Sequence, residues 1–178
     1  TFPSADTIKF STGGVERMSI TNSGISGITA GITEAAEWNI TTGFSSGTGL
    51  TITSNLAQRD YIGSGMSESS GVFTFPSTGM YLINYIVTGY ASAFNRYAGG
   101  EISATTNNSS YSNIAEGYNN TNNDTNNYFH VSMTCIFDVT NVSTHKVKFL
   151  VSAENDVTVS ADSSRFISGM NFLRLGDT

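Results

Sequence analysis

The stretch Met80–Tyr90, MYLINYIVTGY, limits the fold more than any other part of this chain. Strand side chains alternate between two faces. One face carries Tyr81, Ile83, Tyr85 and Val87, and the other carries Met80, Leu82 and Ile86. A strand that is apolar on both faces is covered on both. In an antiparallel sandwich one face belongs to the core, so the second meets something else, and another copy of the chain is the economical answer. Tyr81, Ile83 and Tyr85 are assigned to that contact between subunits.

The same alternation recurs along the chain in short runs between clusters of Gly, Ser, Asn and Thr, with almost no helical periodicity. Glu37–Thr41, Leu50–Thr53, Gly71–Phe75, Gly100–Thr105, Asn127–Thr140, His145–Ala153, Asp156–Val159 and Phe166–Leu175 read as strands. There are 18 glycines and only 2 prolines, which fits many positive-φ turns and few interrupted ladders. The fold class is therefore all-β. Cys135 alternates onto one face with Val131, Met133, Phe137 and Val139, and is expected to be a core thiol. With a single cysteine there is no intrachain disulfide, so stability has another source, such as oligomerisation.

Residues 1–33 are thinner than the rest. TIKFSTGGVERMSITNSG, residues 7–24, holds two short alternating runs on either side of Gly13-Gly14. An isolated hairpin is marginal in water, so Ile8, Phe10, Met18 and Ile20 need a cover. The same residues from two other chains, packed around a threefold axis, would supply it, with Glu16 and Arg17 able to pair between neighbours. From Glu34 onward the strands are longer and richer in aromatics. Two units follow: residues 1–33, a trimerisation segment, and residues 34–178, a head.

Charge excludes several functions. The net charge is −6, and the 8 Lys and Arg never cluster. Binding to nucleic acid needs such clusters, and so does binding to an anionic membrane. No apolar run reaches the length of about 18 residues needed for a membrane-spanning helix. Neither a nucleic-acid partner nor membrane insertion is expected. Charged residues make up 12% of the chain, about half the usual share. A surface of Ser, Thr, Asn and Gly suits a protein outside cells, where sugar is often the ligand.

Residues 105–127, TTNNSSYSNIAEGYNNTNNDTNN, are the most polar part. They read as a long loop or sheet edge, either a plain connection or a binding loop. Aromatic faces stack on sugar C–H surfaces, and amides both donate and accept. The candidate glycan contacts are Tyr97, Tyr111, Tyr118, Asn119, Asn120, Asn122, Asn123, Asp124 and Tyr128. Glu116 and Asp124 are hard oxygen ligands, but their spacing matches no calcium loop, and no metal or cofactor is assigned. His130 and His145 lie in no nucleophile or metallohydrolase motif, and no carboxylate pair stands out. The expectation is a protein that is not an enzyme.

Two resemblances sharpen this reading. Asp6–Ile28, DTIKFSTGGVERMSITNSGISGI, resembles the short repeat of tail-fibre and other virion structural proteins of marine bacteriophages. The matching positions are Ile8, Phe10, Thr12, Gly14, Glu16, Arg17, Met18, Ile20, Ser23 and Gly24. The larger unit is similar to the complement C1q and tumour-necrosis-factor jelly-roll superfamily through GVFTFPSTGMYLINY (Gly71, Phe73, Pro76, Gly79, Tyr81) and SSRFISGMNFLRL (Phe166, Ser168, Gly169). It departs from that pattern at Ile83, where relatives place an aromatic. The resemblance implies a ten-stranded sandwich that trimerises through its doubly apolar strands and its last strand. Together they imply a shaft segment, 1–33, and a C1q-like head, 34–178, on an extracellular virion fibre of tail or capsid. Such a homotrimer joins the rest of the fibre and binds a bacterial surface glycan or receptor. The alternative is a purely structural or decoration protein whose head caps the trimer.

Overall fold

The structure is a computed structural model that describes residues 7–21, 24–26, 31–91, 93–122 and 126–178. The chain forms two compact units, Thr1–Thr33 and Glu34–Thr178.

In the first unit, β1 (Ile8–Thr12), β2 (Val15–Thr21) and β3 (Gly24–Ser26) form an antiparallel sheet in the order β1-β2-β3. Gly13 and Gly14 join β1 to β2 with φ of 60° and 77°, the double left-handed turn that matches strand twist and favours glycine. Ile8 lies opposite Ile20 and Phe10 opposite Met18, so the four apolar residues share one face. Ile8 is 45% exposed and Phe10 50%. The charges next to them are satisfied inside the hairpin. Lys9 Nζ pairs with Glu16 Oε2 at 2.7 Å, and Arg17 Nε donates to Thr12 Oγ1 at 2.9 Å.

The strands described in the second unit are β4 (Ala35–Ile40), β5 (Phe44–Ser46), β6 (Leu50–Thr51), β7 (Leu56–Ile62), β8 (Ser67–Ser69), β9 (Val72–Thr74) and β10 (Gly79–Ala91). They continue with β11 (Asn95–Thr105), β12 (Ser112–Thr121), β13 (Asn127–Val139), β14 (Lys146–Ala153), β15 (Val157–Val159) and β16 (Gly169–Gly176). One sheet runs β13-β10-β16-β4-β7, with β15 and β5 extending it beside the end of β10. The other runs β12-β11-β14-β9-β8, with β6 on β14. Every described pairing is antiparallel. This is a two-sheet jelly roll, the all-β sandwich expected from the alternation.

Phe73 sits at the centre of the core. Trp38 and Phe149 meet it edge to face at 5.2 and 5.3 Å, and Phe172 leans on it at 5.4 Å. Such pairs contribute beyond the area they bury. Leu56–Ile62 and Ser112–Thr121 are strands that the alternation does not reveal. Each lies at the margin of its sheet, where solvent takes one face and removes the demand for apolar residues.

The chain enters the second unit at Ala35, opposite Leu173 of β16. Entry and last strand therefore share one end. The opposite end carries the C-terminus of β10, the end of β12 and the start of β13.

Candidate functional site

The asparagine-rich stretch is mostly strand. It begins with a compact hairpin in which Asn107 Oδ1 accepts from the amides of Ser109 and Ser110 at 3.0 and 2.8 Å, the local bonding that suits Asn to turns. The chain then runs as β12 along β11, with Glu101 opposite Glu116 and Gly99 opposite Tyr118. The inward positions of β12 include Ala115 and Gly117, the latter close to Val131. With Ala115 and Gly117 at inward positions and the polar Thr121 buried beyond them, β12 shows no apolar alternation.

The candidate tyrosines consequently separate into three places. Tyr111 lies by the hairpin, with Lys148 Nζ 4.6 Å from its ring centroid. Tyr128 lies at the opposite end, 72% exposed and 5.7 Å from the Tyr90 ring. Tyr97 and Tyr118 meet on the β12-β11-β14 sheet, their rings 5.6 Å apart at 75°. Asn119 donates to the carbonyl of His130 at 3.3 Å, tying β12 to β13. Asn120 and Asn122 are exposed, while Asn123 and Asp124 lie outside the described residues.

The Tyr97–Tyr118 pair has the most elaborate surroundings. Tyr118 hydroxyl donates to Glu101 Oε1 at 2.8 Å and stands 3.4 Å from Glu116 Oε2. Asn113 Nδ2 donates to the other Glu101 oxygen at 2.5 Å. Burial of the ring, reinforced by the Glu101 and Glu116 carboxylates, holds the Tyr118 phenol far above its ordinary range. Across β11, Ser152 lies on the far side of Gly99, which has no side chain to separate it from Tyr118. Among the described residues, neither Glu101 nor Glu116 forms an ion pair. Sequence reasoning gave Glu101 and Asn113 no role. The available signal was YAGGE, which sets Tyr97 and Glu101 on either side of two glycines.

The subunit-contact assignment on β10 needs correction. Tyr81, Ile83 and Tyr85 are 1%, 0% and 0% exposed within a single chain. They point into the sandwich, where Tyr81 meets Phe75 and Tyr85 meets Phe149. The outward face is the other one. Leu82 lies between Ile136 on β13 and Leu173 on β16, and Ile136 is 57% exposed. Farther across this sheet, a groove of about 340 Å³ opens between β4, β7 and β16, lined by Ala35, Tyr61, Ile62 and Leu173 among others. Cys135 is half-buried rather than enclosed, and burial pushes its thiol up.

No family profile and no curated relative match this chain. Solved structures do. Murine APRIL superposes with a TM-score of 0.60 at 12% identity, covering 80% of this chain and 98% of that one. Eiger TNF from S. frugiperda gives 0.61 at 10% identity, covering 81% and 93%. The fold is a tumour-necrosis-factor-like jelly roll. Identity at this level speaks to the fold alone. The sandwich is what the resemblance in GVFTFPSTGMYLINY implied, although the second unit has thirteen described strands where the resemblance implied ten.

Proposed function

We propose that this chain is part of an extracellular virion fibre: a homotrimer whose jelly-roll head binds a glycan on the surface of the bacterial host. The observation that carries this reading is the apolar surface that each unit leaves open. In the first unit Ile8 and Phe10 are uncovered, and in the second Ile136, Tyr61 and Ile62 are. Threefold association through the Leu82–Ile136–Leu173 face would cover one, and side-by-side hairpins would cover the other. Exposed apolar area of this kind marks interaction surfaces.

The fibre setting is supported by the resemblance of Asp6–Ile28 to the virion repeat. Glycan binding is supported by the tyrosines and amides on an outer surface that is poor in charge. Three weak sites on one trimer would act together, since linked sites raise avidity without new contacts. This is a binding role with no catalytic step.

Light scattering at micromolar concentration tests the assembly, with a trimer expected and a monomer overturning it. Binding of the trimer to host cell-wall and lipopolysaccharide polymers tests the ligand class. A clean negative across those polymers would leave the head as a structural cap.

A further inference from the structure

We propose that Tyr118 and Tyr97, with Glu101, Glu116 and Asn113 beside them, form a subsite for a neutral pyranose on the outer face of the β12-β11-β14 sheet. This inference rests on the glycan-binding reading and names its site.

Glycine at position 99 is imposed by the backbone, because a Cβ there would run into the carbonyl of Gly117. The missing side chain leaves a gap between Tyr118 on one side and Ser152 on the other. The Tyr118 hydroxyl is held by Glu101. Its ring is thus fixed at two points: its own strand and the bond to Glu101. It nevertheless remains 39% exposed. Tyr97 stands almost perpendicular to it, so the two rings form a corner. Rings fixed before binding lose little freedom when a ligand arrives.

The polar groups beside the corner have spare capacity. Glu101 accepts from Tyr118 and Asn113, and each carboxylate oxygen offers a further lone pair. Glu116 makes only the long contact with the phenol. Like charges placed directly opposite on neighbouring strands are unfavourable, and no described cation offsets this pair. Lys148, on the neighbouring strand, is turned to Tyr111 instead. Carboxylates with free lone pairs next to an exposed aromatic face suit vicinal hydroxyls above an apolar C–H face. The same two charges repel uronic and sialic acids.

Titration of the ¹⁵N-labelled protein with methyl β-galactopyranoside, methyl α-glucopyranoside and methyl glucuronide tests this directly. A neutral glycoside is expected to shift the amides of Tyr97, Gly99 and Tyr118, and the glucuronide to leave them in place. Tyr118→Ala should weaken binding of that glycoside, and of any host polysaccharide that binds, by at least about tenfold. Tyr118→Phe keeps the ring and should stay within about threefold. Glu101→Gln combined with Glu116→Gln should admit the glucuronide. An unchanged amide spectrum away from β11 and β12 shows that each variant is folded. If sugars shift the Tyr128 region instead and Tyr118→Ala binds normally, the subsite is wrong while glycan binding stands. If no glycoside and no host polymer binds the trimer, both fail.

Discussion

Gly117 of β12 comes so close to Val131 of β13 that a Cβ on the glycine would stand 2.6 Å from Val131 Cγ1. Each of these strands ends its own sheet, so this contact sets how tightly the sandwich closes on that side. Valine is stiff about χ1 and cannot swing aside. Gly117→Val should therefore destabilise the head by about 1–3 kcal/mol, the usual cost of overpacking, measured by denaturant unfolding. It should also disturb the Asn119 bond to the His130 carbonyl, visible as faster amide exchange near β12.

Tyr85 carries the opposite kind of imperfection. Its hydroxyl is buried without a hydrogen-bond partner, and burial drives its pKa upward. A buried hydroxyl without a partner has lost its water and gained nothing in return. Tyr85→Phe keeps the ring against Phe149 and should raise stability by about 1 kcal/mol, read as a higher melting temperature.

The two faces of β10 can be told apart by substitution. Leu82→Asp with Ile136→Asp should convert a trimer into a folded monomer, by light scattering and near-ultraviolet circular dichroism. Ile83→Asp should abolish folding, because Ile83 is fully enclosed and an unpaired carboxylate there has no solvent. If the double variant remains trimeric, subunits meet elsewhere.

Asp162 organises the loop before β16. Its Oδ1 accepts from the Ser164 amide and hydroxyl at 2.8 and 2.7 Å, and its Oδ2 accepts from Arg165 Nη2 at 2.7 Å. Asn39 Nδ2 ties this loop to β4 through the carbonyls of Asp162 and Arg165. The hydrogen bonds from Ser164, followed by those from Arg165, hold the Asp162 carboxyl well below its ordinary value. A folded-state pKa that is lowered contributes stability above the unfolded value and loses it as pH falls. Protection of the Ser164 and Arg165 amides should therefore be flat above about pH 5 and fall away below about pH 4. Asp162→Ala should remove both the protection and its pH dependence.

Alternation made the sandwich legible because inward positions on the long strands demand large apolar groups, as at Phe73, Val87 and Phe149. On β10 it reached its limit. Where both faces are apolar, periodicity reports that both are covered but not by what, and Tyr81, Ile83 and Tyr85 fill the chain's own core. Strand β12 was hidden for the converse reason, since Ala115 and Gly117 face inward where little room remains. Strand β7 was hidden by Arg59 and Asp60 at a solvated edge. The Tyr97–Tyr118 corner depends on register across three strands, which no single run of residues displays.

The pairing of β4 with β16 on one side and β7 on the other has a mechanical consequence. A pull entering at Glu34 and resisted by a contact at the far end of the head would act along β4. Its five rungs with β16 and six with β7 would then be loaded in shear, all together. Unzipping, which breaks rungs one at a time, would need a force across the strands instead. Tension applied along β4 would therefore strain this unit in the direction in which its ladders share the load.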